Sequence, residues 1–133
     1  LRVFADTSAI YALLAENDQN HPSAVRTWRS LLERNAVLET TNYVMLETAA
    51  LVQRRLGLAA LRDLHTNIEP ALAIHWMDEP QHQSAIGLTL AAFRRDLSLV
   101  DCSSFVVMEQ MGITDAFCFD KHFAEQGFNV LPG

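Results

Sequence analysis

An α/β fold, with a mostly parallel sheet covered by helices on both faces, is what this sequence predicts. Three observations point there. Short apolar runs alternate with longer stretches of helical period. One or two helices separate successive runs, and right-handed crossovers then leave neighbouring strands parallel. Finally, 133 residues at 50% hydrophobic content supply one core, so residues 1–133 are expected to form a single domain.

The elements follow in order. Residues 2–5 make a strand-like run, and Asp6, Thr7 or Ser8 then caps a helix over 9–15. A polar turn at 16–21 leads to Pro22, suited to the first position of a second helix. There Ala24, Val25, Trp28, Leu31 and Leu32 mark an apolar stripe, with Arg26, Arg29, Glu33 and Arg34 facing elsewhere. Residues 36–40 read as the second strand. Asn42 caps a long helix to Leu56, and Gly57 stops it. A further helix over 58–67 ends before Pro70, and 71–76 form the third strand. Residues 79–95 carry a long helical pattern with Ala85, Leu88, Ala92 and Phe93 near one face. Another helix spans 101–111 and ends at Gly112. Residues 113–119 are the fourth strand, 121–126 a turn or two of helix, and 128–131 the last strand.

Composition narrows the function. No stretch approaches the roughly 18 apolar residues of a membrane span, and the N-terminus lacks the regions of a signal peptide. Cys102 and Cys118 are too few for a disulfide scaffold, so a reducing cytoplasm is expected. Both read as buried small residues. Ten Lys and Arg against sixteen Asp and Glu give a net charge of -6, with Lys121 the one lysine. A protein that grips nucleic acid through a broad basic patch does not look like this. A bound metal ion would supply positive charge locally. His21, His65, His75, His82 and His122 show no metal-ligand spacing among themselves.

Four acids stand where acids are unusual. Asp6 ends the first strand, Asp120 ends the fourth, and Asp101 follows Leu97-Ser98-Leu99-Val100 to open an apolar helix. Glu47 has Val44 and Leu51 at i-3 and i+4, which places it along a buried stripe. In open α/β sheets the C-terminal strand ends form the ligand crevice, where all four converge. Two carboxylates ~5 Å apart at an effective dielectric of ~20 repel by ~3 kcal/mol. Protonation or a cation relieves this, and oxygen-only ligation suits Mg²⁺ or Mn²⁺ rather than zinc. Each acid also has a plainer reading: Asp6 and Asp101 as helix caps, Asp120 as a turn residue, Glu47 as the partner of Arg54 or Arg55. A shared ion explains the four together. Asp96 reads as a helix-end or loop residue, and Asp115 as a candidate rim ligand.

Four segments match a known pattern. They are Val3-Phe4-Ala5-Asp6-Thr7-Ser8-Ala9, Thr41-Asn42-Tyr43-Val44-Met45-Leu46-Glu47-Thr48, Leu97-Ser98-Leu99-Val100-Asp101-Cys102-Ser103-Ser104-Phe105 and Ala116-Phe117-Cys118-Phe119-Asp120-Lys121-His122-Phe123. In this order and spacing they resemble the PIN-domain ribonucleases, and within them the VapC-like toxins of toxin–antitoxin pairs. The resemblance runs through Gly127-Phe128-Asn129-Val130-Leu131-Pro132. It implies a three-layer α/β/α sandwich with a central parallel five-stranded sheet, an acidic pocket for Mg²⁺ or Mn²⁺, and RNA cleavage. It also implies a cognate antitoxin that blocks the groove, and a homodimer. Asp6, Glu47, Asp101 and Asp120 match the family's acidic positions, and Thr7 and Ser8 its hydroxyl positions. Cys118 departs from the Thr common in this branch, and a thiol is a poorer hydrogen-bond partner.

On this reading Asp6 and Asp101 are direct ligands, Asp120 is direct or water-mediated, and Glu47 acts through a water. Ser8 orients Asp6 or a metal-bound water. Arg54, Arg55, Arg94 and Arg95 are candidate contacts to the RNA backbone, though each also reads as part of a solvated helix face. Two rival classes remain: a phospho-accepting signalling receiver, and a non-catalytic module that keeps the fold. The receiver needs adjacent acids after the first strand, whereas Thr7 follows Asp6.

Overall fold

A computed structural model describes residues 1–133. Five strands pair in parallel throughout, in the order β3-β2-β1-β4-β5. They are β1 (Arg2–Ala5), β2 (Val37–Thr41), β3 (Ala73–His75), β4 (Asp115–Phe117) and β5 (Asn129–Leu131). Seven helices connect them: α1 (Thr7–Leu14), α2 (His21–Glu33), α3 (Asn42–Leu56), α4 (Leu58–Asp63), α5 (Glu79–Ala92), α6 (Leu99–Met111) and α7 (Lys121–Glu125).

The strand order explains the position of the crevice. The chain lays down β1, β2 and β3 in one direction, then returns to place β4 on the other side of β1. Connections therefore diverge between β1 and β4, the switch point where open α/β sheets leave a gap beyond their C-terminal ends. Asp6 and Phe117 meet across it, the Asp6 N–H donating to the Phe117 carbonyl at 3.0 Å. A receiver follows the flavodoxin-like order 2-1-3-4-5, which this sheet does not have.

Val3, Phe4 and Ala5 are fully buried because both faces of the parallel sheet are covered. Phe4 packs on Phe123 of α7, with ring centroids 6.5 Å apart, and Phe105 of α6 meets Phe123 edge-on at 5.0 Å. Phe117 points to the other face, where Trp28 of α2 stacks on it at 6.4 Å.

Several boundaries differ from the sequence reading. α5 stops at Ala92 rather than Arg95, because Phe93 takes a left-handed conformation (φ 51°) with its ring 90% exposed. Phe93 and Leu88 therefore belong to no core-facing stripe. Residues 58–67 do not form one helix: α4 ends at Asp63, a π-helical turn (Leu64–Ile68) follows, and a 3-10 turn (Glu69–Ala71) brings in Pro70. The third and fourth strands are shorter than expected. Thr41, not Asn42, caps α3 by accepting from Val44 N at 3.1 Å, while Asn42 Oδ1 accepts from Met77 N at 2.7 Å. α6 begins at Leu99 under a Ser98 cap, which puts Asp101 inside its first turn.

One buried acid lies away from the crevice. Glu39 of β2, 4% exposed, takes two parallel bonds from Arg2 (both 2.9 Å) and faces His75 Nε2 at 3.1 Å. Arg2 also donates to the Met111 carbonyl at 2.7 Å, which ties β1 and β2 to the end of α6. Despite its burial, these partners hold the Glu39 carboxyl below its usual range. Removing one partner of a buried pair costs more than replacing both. Arg2→Met should lower the thermal midpoint by several degrees, and adding Glu39→Leu should recover much of that loss. Thermal denaturation of the two variants beside the parent checks this, and a double variant no more stable than Arg2→Met would refute it.

Candidate metal centre

Four helices begin around the crevice, and each contributes one acid. Asp6 is the N-cap of α1: its Oδ2 accepts from Ser8 N (3.1 Å) and from Ser8 Oγ (2.6 Å). Ser8 Oγ in turn accepts from Phe119 N at 2.9 Å, joining the ends of β1 and β4 through one hydroxyl. Asp120 caps α7, its Oδ1 accepting from His122 N at 2.9 Å. Asp101 stands in the first turn of α6, where Ser98 Oγ takes its backbone N–H at 3.0 Å and leaves the carboxylate free of capping duty. Glu47 lies half-buried in the second turn of α3 and forms no ion pair with Arg54 or Arg55. Helix N-termini carry partial positive charge, which favours carboxylates in their first turns.

All four acids line one pocket of about 390 Å³, together with Ser8 and Arg55. Thr7, Tyr11, Asp18, Asn20, Leu51, Ser98 and Phe119 complete its lining. Burial drives the Asp6 carboxyl up to about 6, against the pull of its Ser8 bonds and with help from the Asp120 and Glu47 charges. Asp101 is pushed to about 8, first by burial and then by the Asp6 and Asp120 charges. The carboxylates repel one another at close quarters, and a cation would relieve that repulsion.

The other expected residues divide. Thr7 turns its hydroxyl into the core, donating to the Val44 carbonyl (3.4 Å) and accepting from Thr48 Oγ1 (2.9 Å), so it pins α1 to α3. Arg55 reaches the pocket wall, its guanidinium 5.7 Å from the Tyr11 ring centroid. Arg54 and Arg95 are exposed and lie off the pocket lining. Arg94 is occupied elsewhere, bonded to Asp96 (2.8 and 3.2 Å) and Glu125 (3.4 Å). Asp115 sits at the opposite end of β4 from Asp120 and accepts from Asn129 Nδ2 at 3.1 Å, so it is no rim ligand. Burial and the neighbouring Asp6 charge push the Cys118 thiol up to about 12. It stays protonated, with its sulfur 3.8 Å from the Asp120 carbonyl.

Two contributors were not expected from the sequence. Ser98 caps α6 and lines the pocket, a role its place three residues before Asp101 could have signalled. His122 is buried, and one of its ring nitrogens lies within 4.8 Å of oxygens from Asp101 and Asp120. Desolvation opposes its charged form, but Glu125, Asp120 and Asp101 outweigh that and raise its pKa. A donor set of several carboxylate oxygens with one imidazole alongside fits a divalent cation.

Comparison with known proteins places the chain among relatives. The family model described as "PIN domain" matches residues 3–129. The 23S rRNA-specific endonuclease VapC20 of Mycobacterium tuberculosis, from strains CDC 1551 / Oshkosh and ATCC 25618 / H37Rv, is 32% identical over 127 residues, covering 95% of both chains. A crystal structure of M. tuberculosis VapC20, titled a sarcin-ricin loop cleaving toxin, superposes with a TM-score of 0.85 at 31% identity, again over 95% of each chain.

The raised Asp101 carboxyl has a measurable effect on stability. Unfolded, it ionises near pH 4; folded, near 8. Between those values the folded protein keeps a proton that the unfolded chain releases, so stability falls as pH rises. In chelator, Asp101→Asn should melt roughly 3–6 °C above the parent at pH 8.5, the size of shift that ~1 kcal/mol produces. The gap should close by pH 4. Parallel melting curves across that range would rule out this source of strain.

Proposed function

Because the chain belongs to the PIN-domain family, we propose that it is an endoribonuclease toxin that hydrolyses RNA phosphodiester bonds at the acidic pocket with Mg²⁺ or Mn²⁺. The observation that carries this reading is the convergence of Asp6, Glu47, Asp101 and Asp120, from four separate helices, on one pocket at the switch point. The likeness to VapC20 along 95% of the chain supports 23S rRNA, and within it the sarcin-ricin loop, as the substrate.

The residues divide the work. Asp6 and Asp101 would hold the ion directly, Asp120 directly or through water, and Glu47 through a water. When bound, the ion lowers the pKa of an attacking water and neutralises charge developing on the scissile phosphate. Ser8 fixes one oxygen of Asp6, and with it the orientation of the carboxylate. Thr7 contributes from behind, by fixing where α1 starts relative to α3. Arg55, the cation on the lining, takes a backbone phosphate of the RNA. Arg54 and Arg95 are free to meet RNA further out, whereas Arg94 must first give up its two carboxylate partners.

A cytoplasmic location and a single domain over residues 1–133 belong to the same proposal; no helix is long and apolar enough to cross a membrane. A cognate antitoxin would silence it by placing a basic side chain against the carboxylates, where the potential is most negative. Pairing of two copies into a homodimer completes the reading.

Asp6→Asn or Asp101→Asn should reduce cleavage of a sarcin-ricin loop RNA by at least about a thousandfold, the value of several kcal/mol of transition-state stabilisation. Circular dichroism should be unchanged. Chelation should abolish cleavage in the parent, and Mg²⁺ or Mn²⁺ should restore it. Full activity in either variant, or in chelator, would refute the assignment. Arg55→Ala should raise KM by about tenfold, more than it lowers kcat, if that side chain binds phosphate.

A further inference from the structure

We propose that His122 supplies a nitrogen donor to the divalent ion of this pocket, and that the site therefore prefers Mn²⁺ to Mg²⁺. The inference rests on the metal-dependent reading above and asks which atoms hold the ion.

His122 is the second residue of α7, and its backbone N–H donates to the capping Asp120 Oδ1 at 2.9 Å, so ring and carboxylate leave the same helix turn. Its side chain is 9% exposed. Nδ1 faces Glu125 Oε2 at 3.3 Å, while Nε2 makes no hydrogen bond, its nearest recorded acidic oxygen being Asp96 Oδ2 at 3.9 Å. One ring nitrogen and one oxygen from each of Asp101 and Asp120 lie within 4.8 Å of one another. Octahedral ligands at ~2.1 Å from an ion stand ~3 Å apart when adjacent and ~4.2 Å when opposite, so the His122 ring, which lies behind the pocket lining, would turn slightly toward Asp101 and Asp120 to join them on one ion.

The surroundings of the ring match this role. A metal-bound imidazole ordinarily donates its other N–H to a carboxylate, which fixes the tautomer and orients the ring. Glu125 occupies that place, and Arg94 steadies Glu125 at 3.4 Å while forking onto Asp96. With Nδ1 donating to Glu125, the lone pair is on Nε2. Mg²⁺ keeps oxygen ligands and waters, whereas a first-row transition ion accepts imidazole more readily.

Electron spin-echo spectroscopy of Mn²⁺ added to the full chain tests this without any turnover. Bound Mn²⁺ should show modulation from a histidine nitrogen in the parent protein. In His122→Gln the modulation should vanish and Mn²⁺ affinity should fall by about tenfold or more, with Mg²⁺ affinity far less changed. Glu125→Gln should keep the nitrogen signal but weaken Mn²⁺ binding. Mn²⁺ bound without nitrogen modulation in the parent, a signal persisting in His122→Gln, or parallel losses for Mn²⁺ and Mg²⁺ would each overturn the proposal while leaving the acidic metal site intact. Failure of the parent to bind Mn²⁺ at all would remove the metal-dependent reading itself.

Discussion

Carboxylates gathered in one crevice repel one another, and the rest of this structure is arranged around tolerating that repulsion. A parallel sheet whose connections diverge between β1 and β4 leaves an opening at one end. Asp6 and Asp120 close that end, while Asp101 and Glu47 reach it from α6 and α3. Burial and mutual repulsion lift Asp6 to about 6 and Asp101 to about 8. The fold offsets this with N–H groups: Ser8 on Asp6, His122 on Asp120, and a ring of helix N-termini. None of the four carboxylates is ion-paired to an arginine or lysine, so negative charge is concentrated in the pocket, which suits a cation.

Glu39 offers a contrast in the same sheet. It too is buried, but a two-pronged arginine and a histidine meet it, and its carboxyl is held low rather than high. The acid with cationic partners ties strands together; the acids without them leave negative charge concentrated in the pocket. The difference lies in the partners each receives, since burial alone pushes both the same way.

Much of this was legible in the sequence, and what escaped has a common cause. Strand identities, helix order and the four acids follow from local period, capping residues and apolar runs, all read within a few positions. The end of α5 did not, because Phe93 in a left-handed turn looks like any aromatic in a helical stripe. The cap of α3 fell to Thr41, while Asn42 serves a backbone N–H 35 residues away. The Arg2–Glu39–His75 cluster joins three strands whose register no local pattern fixes. His122 is invisible to histidine spacing because its neighbours are Asp101 and Asp120 rather than another histidine. Arg94 looked like an available cation and is spent on Asp96 and Glu125. Long-range pairing decided each of these cases.

Asp6 and Asp120 hold the first turns of α1 and α7 as well as facing the pocket, whereas the Asp101 and Glu47 side chains secure no helix end. Asparagine caps a helix about as well as aspartate does. A lineage that abandoned the chemistry but kept the architecture would thus decay unevenly: amides would accumulate at two of the positions, and almost anything at the other two. Such a fossil signature would distinguish retired copies of this protein from working ones without an assay.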